Sequence, residues 1–245
     1  GISLANYTKD LIQDQLYVGS YLLLSFLSFM PGVFLFFFKN VENVQEDSLK
    51  EGNVRNLKSI VLQPRFLQAI TAAAFAYAVM SFLMTATPLS MHVMENMSLK
   101  ETGLVLQFHV VAMFLPSLIT GNLIKKYGHS AIIYGGVLFF FITVLISLFE
   151  QTYLNYMLSL IFLGLGWNFL FISGTSLVVL TYNKEEKFKV QGINDLIVFS
   201  TMALASLSAG ILLNSIGWKM MNIICIPFLI LIILVSFVAD KKSAS

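Results

Sequence analysis

The sequence predicts an all-α membrane protein: a polytopic helical bundle in which one helix and a polar linker precede two inverted three-helix repeats. Three observations predict it. The chain is 57% hydrophobic and only 11% charged, against roughly 25% charged residues in soluble domains. Its apolar residues fall in long runs, each sufficient for the roughly 20 residues that cross a hydrocarbon core. A loop string recurs 89 residues along, with three apolar runs between the copies. An odd number of crossings per copy turns the second copy upside down relative to the first, a pattern of secondary transporters.

Seven spans are expected, at about 16–38, 64–90, 101–124, 130–149, 153–181, 190–213 and 219–239. The runs are continuous and lack the period-2 alternation of barrel strands, so they are helices. The first, with its outer segment, covers 1–38. It is too long for a secretory signal, and polar residues precede it where a signal has a short basic stretch. Residues 39–63 are polar and of mixed charge, whereas every other loop is short, so they form a central linker. The rest, 64–245, is a six-helix bundle with repeats at about 64–150 and 153–239. Cys225 has no partner for a disulfide and is expected as a buried, inert thiol.

Lysine and arginine set the orientation. Lys39, Lys50, Arg55, Lys58, Arg65, Lys125, Lys126, Lys184, Lys187, Lys189, Lys241 and Lys242 fall on one side of this scheme. Only Lys9, Lys100 and Lys219 fall on the other. By the positive-inside rule the linker and C-terminus are cytoplasmic, as in a protein of the inner membrane. The net charge of +2 is thus a topology signal, spread over separate loops that form no nucleic-acid patch.

The repeated string is Gly121-Asn-Leu123-Ile-Lys125-Lys126-Tyr-Gly128 and Gly210-Ile-Leu212-Leu-Asn-Ser-Ile-Gly217. At the same offset Gly103 falls on Gly192, Ser117 on Ser206 and Leu118 on Leu207. A Gly-x-Leu-x-x-x-x-Gly loop between the second and third helices of a six-helix half resembles the signature loop of the major facilitator superfamily. Gly164-Leu-Gly166-Trp167-Asn168 and Gln191-Gly-Ile-Asn194-Asp195 also resemble strings of its bacterial members. The resemblance covers nearly the whole chain, which is similar to the last seven of that family's twelve helices. It departs at Lys125, where the fullest version of the loop has an Asp. Together with a first residue that is Gly1, the resemblance implies a fragment in which the N-terminal six-helix half expected in the full protein is missing but for its last helix. A genuine seven-helix protein is the alternative.

Several residues are candidates for function. Gly121 and Gly128 suit a tight turn and close helix approach. Lys125 and Lys126 complement a helix C-terminus and anionic lipid. The loop reads as a gating latch against the opposing half, or as a plain turn. Asp195 is the acid placed well inside a span, roughly 8 Å from the cytoplasmic edge. Its burial is costly. With Gln191 and Asn194 on the same face, it reads as an interdomain latch, a proton carrier or a snorkelling carboxylate. His109 has no second ligand at helical spacing, so it makes no metal site. It is either a proton sensor or a hydrogen-bonded structural residue. Tyr77, Trp167 and Asn168 fall at mid-span, where substrates bind in such carriers. They offer stacking surface, a hydroxyl, an indole donor and an amide, or else ordinary helix packing. Thr85, Thr87 and Pro88 suggest a bend, and the small residues Ala203–Gly210 close helix packing. Asn6 and Asn96 head sequons that carry no meaning in a bacterial protein.

No phosphate-binding Gly-x-x-x-x-Gly-Lys-(Ser/Thr) loop and no nucleophile–base set is present, so ATP-driven transport and hydrolysis are disfavoured. No cofactor is expected. The reading is a secondary active transporter of a small solute, driven by an ion or solute gradient, with proton-coupled export ahead of metabolite or sugar uptake. A non-transporting half-transporter remnant or helical membrane scaffold is the other class.

Overall fold

The computed structural model describes residues 8, 12, 17–37 and 55–244. The expected linker therefore lies largely outside the described residues, as does the Asn6 sequon. The chain divides into two units, 1–53 and 54–245. In the first unit, helix α1 spans Val18–Phe37. Every regular element among the second unit's described residues is a helix.

It begins with a short helix α2 (Leu57–Val61), capped by the Asn56 side chain on the Lys58 amide. Helix α3 (Pro64–Pro88) starts on proline, whose missing N–H costs nothing in the first turn. Proline at the far end does not stop it. The chain continues past Pro88 as a π-helical turn, Leu89–Met94, so the expected bend is a change of helical pitch. Pro88 has no N–H to give the residue four back, and a wider turn is one way to continue. Helix α4 (Leu99–Phe114) opens on a reciprocal capping box between Ser98 and Glu101. One continuous helix was expected here, but Pro116 divides it, and α5 (Ser117–Tyr127) follows.

Helix α6 (His129–Ser147) leads to α7 (Tyr153–Val179), capped by Thr152. A short turn, Lys184–Glu186, precedes α8 (Lys187–Ile224) and α9 (Ile226–Ala244). Six apolar stretches are long enough to cross a membrane, and the last runs 60 residues from Lys184 to Ser243. That is too long for one crossing. Gly217, at φ 75 and ψ 170, breaks it into the two spans expected there. The chain is an integral, multi-pass membrane protein.

Gly128 and Gly217 are the glycines with positive φ among the described residues, and the angles nearly coincide: φ 83, ψ 162 and φ 75, ψ 170. The last glycine of each sequence copy thus makes the same turn. Gly121 differs from expectation, because a Cβ added there would meet nothing. It permits no close approach within the described residues.

Helices α3 and α7 form the centre. Helix α3 packs on α7, α8 and α9, while α7 also packs on α4 and α6. Small residues set the spacing. A Cβ on Gly174 would lie 2.7 Å from the Ala69 carbonyl oxygen and 2.9 Å from the Ala73 nitrogen. One on Gly164 would lie 2.7 Å from the His109 carbonyl oxygen, and one on Gly166 would strike the Phe140 ring. Helix α7 therefore uses a different glycine against each of three neighbours.

Candidate functional site

The Gly174–Ala69–Ala73 contact places the next turns of α3 and α7 side by side, and aromatic residues fill them. Tyr77 lies edge-on to Trp167, centroids 5.2 Å apart at 83°, and edge-on to Phe171 at 4.7 Å and 84°. Trp167 stacks on Phe171 at 5.0 Å and 16°. Phe199 of α8 lies 6.0 Å from Tyr77, and Phe114 of α4 lies 5.8 Å from Trp167. Such edge-to-face and offset arrangements suit the ring quadrupoles. Trp167 is 3% exposed, whereas Phe114 and Phe199 are 59% and 51% exposed. The cluster thus runs from the packed interior to an open rim, halfway along α3 and α7. The Trp167 indole N–H is buried without a hydrogen-bond partner among the described residues.

Asn168 is adjacent in sequence but turned away from this cluster, so the structure separates it from the expected binding set. It is fully buried. Its Nδ2 donates to the Met113 carbonyl at 2.6 Å and to Ser117 Oγ at 2.7 Å. The Thr120 hydroxyl donates to its Oδ1 at 2.6 Å. Pro116 breaks the α4–α5 backbone at this point, and Asn168 ties both sides of the break to α7. Both of its amide hydrogens are used, and Oδ1, which accepts from Thr120, is fully buried, so the amide presents no group to a solute at the open rim.

The expected gating residues do not form one group. Asp195 is exposed on α8, while its neighbour Asn194 is buried and turned inward. Asn194 Nδ2 reaches out to Asp195 Oδ1 at 3.0 Å. Gln191 donates to the Tyr182 hydroxyl at 2.7 Å instead of sharing the Asp195 face. His109 is buried between α4 and α7, where Nδ1 donates to the Leu160 carbonyl at 2.7 Å. No hydrogen bond among the described residues joins it to Gln191, Asn194 or Asp195. In the signature loop, Lys125 and Lys126 are exposed, and the Lys126 ammonium lies 5.0 Å from the Tyr127 ring centroid.

Sequence reasoning missed two ionic clusters at the lysine-rich end. Arg65 Nη1 lies 2.7 Å from Asp240 Oδ1, 2.8 Å from Gln68 Oε1 and 3.2 Å from Ser130 Oγ. Tyr134 adds its hydroxyl to Asp240 Oδ2 at 3.2 Å, so α3, α6 and α9 are pinned together. Arg55 meets Glu186 across 131 residues of sequence. No local pattern announces partners so far apart. The guanidinium beside Glu186 and the Asn183 amide hold its carboxyl well below the usual range, at about 2.

A groove of about 550 Å³ runs between α3, α8 and the start of α9, lined by Phe75, Phe82, Leu204 and Phe228. Its polar groups are occupied by their own helices: Thr201 bonds the Ile197 carbonyl, Ser208 that of Ala205, and Cys225 that of Met221. It offers a solute only hydrocarbon surface, in contrast to the aromatic cluster.

The profile of the Major Facilitator Superfamily matches residues 71–245. This chain belongs to the major facilitator superfamily. It is 36% identical over 233 residues to a protein of Brucella anthropi named riboflavin transporter RfnT, covering 95% of this chain and 58% of that one. It is 26% identical over 217 residues to the uncharacterized MFS-type transporter YdeG of Bacillus subtilis, covering 84% and 50%. A second protein of that organism, the uncharacterized MFS-type transporter YddS, is 30% identical over 151 residues, covering 60% and 34%. The chain spans about half the length of these major facilitator relatives.

Proposed function

We propose that this chain is the C-terminal half of a secondary transporter that carries a small planar solute past Tyr77 and Trp167. The observation that carries the reading is the aromatic cluster at mid-span. Its rim is open at Phe114 and Phe199, whose rings are more than half exposed, and behind them the buried Trp167 indole N–H has no partner among the described residues. Flat heterocycles gain from such rings, and the relative named for riboflavin supplies the probe. Five further helices ahead of this chain would complete a first six-helix half and with it the cavity, and the exposed rim at Phe114 and Phe199 is where the two halves would meet. The lysine-rich end would face the cytoplasm of an inner-membrane carrier.

The test is riboflavin flux across vesicles containing the whole protein, in both directions, with Trp167→Phe and Tyr77→Phe beside the parent. Saturable flux with a raised KM in the variants supports the reading. Flux no greater than in empty vesicles overturns it for this solute class. The finer expectation of proton-coupled export is carried by Asp195, whose carboxylate stands exposed on the face of α8. An imposed pH gradient that drives export in the parent and not in Asp195→Asn supports it. Gradient-independent exchange overturns it.

A further inference from the structure

Away from the aromatic cluster, the Glu186 carboxylate accepts four hydrogen bonds among the described residues, three of them from Arg55. Arg55 Nε and Nη2 grip the two Glu186 oxygens at 3.0 and 2.7 Å, a two-pronged fit that favours arginine over lysine. The Arg55 backbone amide adds a third bond to Glu186 Oε1 at 3.0 Å. Arg55 Nη2 also donates to the Thr181 carbonyl at 3.0 Å, just past the end of α7. Glu186 in turn accepts from the Asn183 amide at 2.9 Å, closing the turn ahead of α8. Its side chain is 3% exposed.

This is more than one surface ion pair, which by itself contributes little. Four donors converge on one sheltered carboxylate, and one guanidinium bridges the end of α7 and the start of α8. By contrast, the first turn of α3 has no side-chain cap.

We propose that Arg55 and Glu186 form a latch that fastens the end of the connecting segment to the α7–α8 turn. A pull on that segment then reaches α8, the helix that bears Asp195, before it reaches α3 at Pro64. The mechanical role rests on the transporter reading, whereas the latch itself does not.

The experiment is hydrogen–deuterium exchange on the whole protein in lipid nanodiscs, comparing the parent with Glu186→Ala, Arg55→Ala and the double charge swap Arg55→Glu/Glu186→Arg. About tenfold faster exchange in both single variants is expected at residues 55–61 and 187–191. Exchange at 64–68 and through α7 should stay at the parent rate, which also shows that the variants fold. The swap should recover part of the protection. Unchanged exchange at 55–61, loosening of 64–68 instead of 187–191, or a swap no better than the singles would overturn the latch. None of these outcomes depends on which solute is carried, so failed riboflavin flux leaves this result standing.

Discussion

Gly128 and Gly217 occupy the same positive-φ, extended-ψ backbone region, at φ 83, ψ 162 and φ 75, ψ 170, at the same position of two copies of one loop string. The second copy is more degenerate in sequence than in shape. It keeps the terminal glycine while Lys125 and Lys126 give way to Asn214 and Ser215. Gly121 and Leu123 are matched too, by Gly210 and Leu212, but among these matches the terminal glycine is the one that backbone sterics demand.

Replacing either glycine with alanine should therefore cost about 1–3 kcal/mol, the usual strain of a non-glycine residue in such a region. Thermal unfolding in detergent would read this as a lower midpoint for Gly128→Ala and Gly217→Ala. Gly192→Ala is the control. It sits inside α8, where an added Cβ meets nothing, and should be neutral or gain about 0.5–1 kcal/mol from helix propensity.

A second prediction concerns helix spacing. Gly174→Ala would push a methyl to 2.7 Å from a backbone oxygen of α3, which cannot swing aside as a side chain can. Overpacking of this kind costs about 1–3 kcal/mol. Because the same contact sets Tyr77 beside Phe171 and Trp167, the variant should also disturb the aromatic cluster. A lower unfolding midpoint together with a shifted Trp fluorescence maximum is the expected result. A lower midpoint with unchanged emission would separate spacing from site geometry.

The fold was legible because membrane crossing is a property of composition and run length, both local in sequence. The turn glycines were legible for a related reason, since positive φ belongs to one residue and its own backbone. Tyr77 and Trp167 were paired on depth alone, and they do meet, but Phe171, Phe114 and Phe199 went unseen. Nothing in their spacing distinguishes a clustered phenylalanine from one facing lipid. Asn168 could be placed at mid-span and not assigned a direction, because a single residue of helix rotation decides whether an amide meets a cavity or a neighbouring backbone. The Arg55–Glu186 and Arg65–Asp240 pairs were beyond reach, since their partners are brought together only by the packed bundle.

That difference between Trp167 and Asn168 is itself testable. Asn168→Leu would remove the three hydrogen bonds that tie α7 to Met113, Ser117 and Thr120, at about 0.5–1.5 kcal/mol for each. Its effect should appear in unfolding and in yield of folded protein. Trp167→Phe keeps an apolar ring and loses the indole N–H, so a raised KM for riboflavin is expected beside the loss of about 1 kcal/mol or more from shrinking a buried ring. A raised KM in a fully stable Asn168→Leu would place the amide on the solute path after all.

The last prediction is a pH window for the latch. Arg55 hydrogen bonds first, then the Asn183 amide, lower the Glu186 pKa from 4.5 to about 2. The folded-state pKa is depressed, so the contribution is fully present above 4.5 and is lost as pH falls through 4.5 toward 2. A spin label at Lys58→Cys lies within the held segment, whereas the native Cys225 is buried. The label should stay immobile from neutral pH down to about 4 and loosen progressively toward pH 2. Glu186→Gln should be mobile across the whole range, because the neutral amide loses the charge-assisted pair. Asp240→Asn controls for the other ionic cluster and should leave the transition in place. A parent label that loosens near pH 4.5 would mean that Arg55 does not hold the carboxylate, and the latch would lose its electrostatic basis.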